Sequence, residues 1–213
     1  MMNKRVRAEI SKFKKDNPRI KFCLGTIALI AMSVMLLIIS TFTQIKFDLN
    51  IPEIGMQSNF KFEYIPQIPV VLYIAALLGE FWALVAIVIY ILMGLTPYFP
   101  VFGLGGGLSY FFQYSFGYIL AYIPAVFFVS RELNNGKAFW HKITATLFGI
   151  SVIHVFGMVY MVIVSMLRHD AFDSITNMIY YQSMSKILYD IIIGFLAVLF
   201  ARGCRKLMWM IMG

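Results

Sequence analysis

Few side chains in this sequence could do chemistry in the apolar surroundings that the rest of it creates. Asp190 stands about one helical turn into the apolar run 186–207, and Lys186 precedes it by four residues. Residues four apart share one face of a helix. An ionisable group inside an apolar run is a functional candidate, because burying it alone is costly. The two residues read either as a structural ion pair near a membrane boundary or as the polar end of a ligand pocket. His154 sits near the middle of the run 143–167. A lone histidine there usually serves as a hydrogen-bonding partner for a neighbouring helix. Gln67, flanked by Tyr64, Pro66 and Pro69, opens a shorter run. Its amide could face a ligand, or it could mark a water-exposed helix start.

A second feature with chemical potential is Pro97-Tyr98-Phe99-Pro100-Val101-Phe102-Gly103-Leu104-Gly105-Gly106-Gly107. Proline ends helices, and glycine tolerates positive φ and lets a ligand approach the backbone. Irregular backbone beside membrane helices is costly unless it faces water, protein or a cavity. The stretch reads as the wall of a binding site, with a tight interhelical turn as the alternative. Several other chemistries find no support. His141, His154 and His169 are far apart and form no metal-ligand cluster. No phosphate-binding Gly-x-x-x-x-Gly-Lys-Ser/Thr loop occurs, so the chain is not expected to use ATP or to bind any cofactor of its own. No pair of inverted repeats is evident. Cys23 and Cys204 lie at the ends of apolar segments and suggest no disulfide framework.

The elements that position these residues follow from composition. Of 213 residues, 61% are hydrophobic and only 13% charged, with a mean hydropathy of +0.80. A soluble domain averages about 25% charged. The expectation is an all-α membrane protein with six transmembrane helices. Residues 1–21 form a basic arm, and 22–213 a single transmembrane domain. The run 22–43 is too long for a signal-peptide core and is expected to be a retained helix. Segment 44–65 reads as a polar loop with room for an interfacial helix. Runs 66–79 and 81–95, separated at Glu80, are short: about 22 Å each against an apolar core of about 30 Å. Two short helices joined by a tight turn would leave a cavity above them. Ala75, Gly79 and Ala83 recur every four residues, a spacing that permits close helix packing. Runs 108–129, 143–167 and 186–207 are full length, joined by loops 130–142 and 168–185. With the N-terminus inside, only Lys46, Lys61, Arg168 and Lys186, of 18 Lys and Arg, fall outside. Lys and Arg gather on the cytoplasmic side. Both termini are therefore expected in the cytoplasm of a bacterial-type plasma membrane. The Gly-rich stretch and the loops 44–65 and 168–185 then lie outside together.

The order of motifs resembles the BioY family, the substrate-binding (S) components of energy-coupling factor transporters for biotin. Family sequences run Thr-x-Gln, an apolar stretch ending in Gly, Tyr-x-x-x-Gly, Pro-Val-Phe and a Gly-rich turn. Here that order is Gln67, Gly79, Tyr90 with Gly94, Pro100-Val101-Phe102 and Gly105-Gly106-Gly107. One extra residue precedes Pro100. The family's Gly-Pro-Thr-Gly-Gly-Tyr is reduced to Gly117-Tyr118, with Ser115 in place of Thr. Its Gly-Asp-x-x-Lys reads Tyr189-Asp190 with Ile193 at the Lys position. The match covers roughly residues 60–205. It implies an S-component-like bundle with its termini in the cytoplasm. It further implies capture of biotin from outside and release inward with a transmembrane coupling subunit and two ATPases. The implied substrate contacts are Gln67, Phe102, Gly105, Gly106, Gly107, Tyr118 and Asp190. Lys186, on the same face as Asp190, is the candidate to replace the missing lysine.

Other functions remain open at this stage. One is an S component for a different small vitamin-like substrate. Another is an intramembrane serine protease of the rhomboid kind, which would need Ser109 and His154; Gly107-Leu108-Ser109-Tyr110 lacks the closing glycine of that nucleophile motif. A third is a structural or lipid-scaffold role. Nothing points to nucleic acid.

Overall fold

A computed structural model describes residues 24–49, 60–98, 100–103, 105–136 and 138–212. The basic arm 1–21 and Cys23 lie outside the described residues. In chain order the elements are α1 (Leu24–Phe42), β1 (Ile45–Leu49), β2 (Phe60–Tyr64), α2 (Gln67–Leu78) and α3 (Glu80–Leu95). A 3-10 turn (Leu108–Phe112) leads to α4 (Phe116–Asn135) and α5 (Phe139–Arg168). Then come α6 (Phe172–Ile179), a π turn (Tyr180–Met184) and α7 (Ile187–Met212). Four segments are long and apolar enough to cross a membrane: α1, α4, α5 and the continuous stretch Phe172–Arg205. With the shorter apolar helices α2 and α3 they give the six expected membrane helices.

Gly79 explains the short pair. Its φ of 79° lies in the left-handed region, so the helix must stop there, and α3 starts at the next residue. The turn reverses the chain. Gln67 and Tyr90, nearly equidistant from Gly79 along the sequence, meet with Gln67 Nε2 2.8 Å from the Tyr90 hydroxyl. α2 and α3 are thus an antiparallel hairpin hinged on one residue. Ala75 and Ala83 are fully buried near the hinge, where their size permits close packing. At the same end, Arg202 donates to the Leu133 carbonyl at 2.7 Å and Arg205 to the Ala76 carbonyl at 3.4 Å. These are carbonyls in the last turns of α4 and α2, where a cation favourably meets unpaired acceptors.

Two expected loops carry structure instead. Segment 44–65 holds no interfacial helix in its described part. β1 and β2 pair antiparallel, Ile45 opposite Tyr64 and Lys46 opposite Glu63, with a Lys46–Glu63 ion pair of 3.2 Å. Ile45-Lys46-Phe47-Asp48-Leu49 alternates apolar and polar, the period of a strand rather than a helix. Segment 168–185 is mostly helical. α5 is capped by His169, whose φ of 57° turns the chain so that the Asp170 N–H reaches the Ser165 carbonyl at 3.1 Å, beside the His169 N–H on the Met166 carbonyl at 3.2 Å. The chain then turns into α6 and the π turn. The fourth membrane helix also starts later than expected: 108–112 is a 3-10 turn, and regular helix begins only at Phe116 and continues to Asn135.

The interior is closely packed. Leu37, Leu72, Ile74, Ile87, Tyr90, Phe102, Phe116, Tyr122 and Ile153 are almost wholly enclosed. Met32, Met35, Ile39, Phe81, Leu92, Phe148, Val155, Phe156, Val159, Leu196 and Phe200 point outward. An outward apolar face of this kind suits lipid rather than water.

Candidate substrate-binding site

Where the hairpin β1–β2, the start of α2, the Gly-rich segment and the π turn converge, the bundle forms a half-open cavity of about 310 Å³. That is at the lower end of the ~300–1,000 Å³ range of small-molecule sites. Its walls are mainly apolar and aromatic, including Ile68, Tyr110, Tyr118, Ile119 and Tyr122. Its polar groups are few: Thr41, Gln67, Ser115, Gln182, Lys186 and Asp190 among them.

Gln67 is held rigidly. Its Nε2 donates to Thr41 Oγ1 at 2.9 Å and to the Tyr90 hydroxyl at 2.8 Å. Thr41 and Tyr90 lie 3.0 Å from each other, and Thr41 Oγ1 donates onward to the Leu37 carbonyl. Both amide hydrogens are therefore used. The Gln67 carbonyl oxygen is left as an acceptor for whatever fills the cavity.

Asp190, 2% exposed, is held from two sides. Tyr64, at the end of β2, donates to its Oδ1 at 2.7 Å, and His154 Nε2 lies 3.2 Å from its Oδ2. Burial, the Asp190 charge and this hydrogen bond push the Tyr64 phenol well above its ordinary pKa, so it stays a neutral donor. His154 Nδ1 is 3.0 Å from Ser183 Oγ, and Tyr118 reaches the same oxygen at 2.5 Å. The π turn accounts for Ser183: its wider winding departs from α spacing, and Ser183 is the buried member of a segment whose Tyr180, Tyr181 and Met184 face outward.

Lys186 lines the cavity and is half-buried. Among the described residues its ammonium forms no ion pair with Asp190, whose oxygens each meet one other partner, Tyr64 and His154. The structural-pair reading of Lys186 and Asp190 is therefore replaced by two separate groups on one wall.

Of the residues singled out from sequence, the structure brings Gln67, Tyr118, Lys186 and Asp190 onto this cavity. It places Phe102, Gly105, Gly106 and Gly107 off its wall. The Phe102 ring packs behind it, 4.6 Å from Tyr110 and 5.5 Å from Tyr90 between centroids. The Gly105 N–H is taken by the Phe102 carbonyl and the Gly107 N–H by the Gly94 carbonyl, each at 2.9 Å. Neither can act as a donor to a ligand. Their glycine character answers to backbone conformation, φ being 125° and 88°. Gly103 is the glycine that does reach the cavity. Thr41, Tyr64, Tyr110, Ser115 and Gln182 are not among the expected site residues; of these Tyr64, just before the helix start, and Ser115, at the family's Thr position, carry a signal in the sequence.

Ser183, His154 and Asp190 have the residue types of a hydrolytic triad, but Ser183 is enclosed, hydrogen-bonded to both His154 and Tyr118, and absent from the cavity wall. Ser109, the serine of the protease alternative, is exposed on the 3-10 turn. Both ring nitrogens of His154 are bonded elsewhere.

The family model described as "BioY family" matches residues 9–209. Among solved structures, the chain is similar to one described as "Crystal structure at 2.1 A of the S-component for biotin from an ECF-type ABC transporter". The two superpose with a TM-score of 0.63 at 19% identity, over 97% of this chain and 95% of the other. At that identity the likeness shows a shared fold. No curated protein matches the chain.

Proposed function

Because the chain belongs to the BioY family, we propose that it is the substrate-capturing subunit of a vitamin uptake transporter, with biotin as the substrate. The solved structure of the same fold is described as a biotin S-component, which supports this assignment. The observation that carries it here is an apolar and aromatic cavity bearing separated acceptor and cationic groups. Biotin joins an apolar bicycle and chain to a ureido group at one end and a carboxylate at the other. Asp190 and the Gln67 carbonyl accept hydrogen bonds and suit the ureido N–H groups. Lys186 suits the carboxylate, and Tyr118 and its aromatic neighbours suit the bicycle and chain. Phe102 backs the wall by packing against Tyr110.

In this reading residues 22–213 form one transmembrane domain with both termini in the cytoplasm and the cavity open to the exterior. The basic arm 1–21 then faces the cytoplasm. The chain has no catalytic role. Release inward is driven by a transmembrane coupling subunit with two ATPases, which alone use ATP. Titration calorimetry on the purified chain tests the proposal. Biotin is expected to bind at or below micromolar concentration, and other small vitamins to bind far more weakly. Absence of biotin binding with tight binding of another vitamin would move the chain to a different S-component specificity.

A further inference from the structure

His154 does not touch the cavity, yet both of its ring nitrogens are engaged at one end of it. We infer that His154 is a positioning residue of the substrate site, locking Asp190 as a pure hydrogen-bond acceptor for a ligand N–H. This rests on the reading that Asp190 receives the substrate's N–H groups.

We take the imidazole as neutral, and the proton positions then follow from the partners. A carboxylate only accepts, so the His154 Nε2 facing Asp190 Oδ2 at 3.2 Å carries a hydrogen. In a neutral imidazole Nδ1 is then an acceptor, and the Ser183 hydroxyl 3.0 Å away donates to it. Ser183 has one hydrogen, so at its 2.5 Å contact with Tyr118 it accepts and Tyr118 donates. Every bond from Tyr118 through Ser183 and His154 points toward Asp190. Tyr64 adds a donor to the other carboxylate oxygen at 2.7 Å. Each Asp190 oxygen thus receives one internal donor and keeps a lone pair for the cavity. In an enclosed site such a chain is stabilising only when every member is satisfied. The groups facing the imidazole are Tyr118 from α4, and Ser183 and Asp190 from the π turn and α7. Tyr64, from β2, faces it across the Asp190 carboxylate, and Lys186 is one turn away along the last helix. Removing the imidazole leaves Asp190 Oδ2 without its donor and the carboxylate held only through Tyr64 at Oδ1, so the ligand loses an acceptor fixed from both sides.

Biotin titrations of the wild type, His154→Gln, Asp190→Asn and the double variant, all as the full purified chain, test this. His154→Gln is expected to weaken biotin by roughly tenfold or more. In the Asp190→Asn background it is expected to cause no further loss, because His154 acts only through Asp190. Unchanged affinity in His154→Gln, or an equal loss in both backgrounds, would overturn the inference. Nitrogen-NMR spectra of isotope-labelled histidine give a ligand-free readout that a purely packing role would not move. The wild type is expected to show His154 with Nε2 protonated and Nδ1 bare, and Asp190→Asn to lose that preference. An Nδ1–H tautomer or an imidazolium in the wild type would refute it even if His154→Gln does not fold. If the wild type fails to bind biotin, the substrate reading falls, and the tautomer alone decides for or against the lock on Asp190.

Discussion

Replacing Lys186 by Met removes one positive charge from the cavity wall and keeps an apolar stem of similar length. The wild-type ammonium has no ion-pair partner among the described residues, so the substitution breaks no internal bridge. It does leave Asp190, one turn further along α7, as the nearest charge on that wall. A ligand carboxylate entering the variant loses its cation and retains the repulsion of Asp190. Loss of a buried, hydrogen-bonded charge partner costs about 2–5 kcal/mol. The cavity is open on one side and Lys186 is only half-buried, so screening places the expected cost at the lower end, about 2 kcal/mol. That is roughly a 30-fold loss of affinity for biotin. Biotin amide carries no charge there, so it should bind the wild type less tightly than biotin does and respond little to the substitution. Calorimetric titration of both ligands into both proteins gives the four affinities required. Equal loss for biotin and its amide would mean that Lys186 acts through the shape of the cavity. No loss for either would mean that backbone donors or water hold the carboxylate, and the assignment of Lys186 would be wrong.

Three further outcomes are expected. A Cβ on Gly94 would run into the Phe102 ring, which Tyr90, Tyr110 and Phe116 prevent from withdrawing; Gly94→Ala should destabilise by roughly 1–3 kcal/mol, seen as a lower Tm in detergent. The Tyr64 phenol is pushed above its ordinary value of 10.0, so the unfolded chain ionises it first as pH rises. Stability should therefore fall above that pH, and Tyr64→Phe should flatten the decline measured by alkaline unfolding. Reporter fusions at residues 1 and 213 should both read cytoplasmic, and an exterior signal at either end would break the six-helix arrangement and with it the placement of the cavity.

The parts of this molecule that sequence reveals are those written in local pattern. The short helices α2 and α3 are legible because Gly79 and Glu80 interrupt an apolar run. Asp190 is legible because a carboxylate inside such a run stands out. The strand pair is legible in principle, since 45–49 and 60–64 alternate apolar and polar side chains, but the polarity and mixed charge of 44–65 equally suit a loop. The partners of Asp190 were not legible. Tyr64 lies 126 residues away and His154 36 residues away, on elements whose facing is decided by packing. Within the Gly-rich stretch, which does reach the cavity at Gly103, the run 105–107 is ambiguous for a related reason: positive φ at Gly105 and Gly107 and an approach to a ligand make the same demand on sequence. Only the hydrogen bonds that occupy their N–H groups separate the two.

The hinge at Gly79 also has a consequence for the lipid around the protein. α2 is enclosed by its neighbours and presents little surface to acyl chains. α3, by contrast, exposes Phe81, Val88, Ile89 and Leu92, yet its 16 residues rise only about 24 Å. Acyl chains beside that one helix must shorten by about 6 Å relative to an unperturbed leaflet pair, at a fraction of a kcal/mol per Å. The deformation falls on one side of the bundle. Shorter-chain lipids should therefore gather there, and the protein should be held most favourably in thin, fluid bilayers.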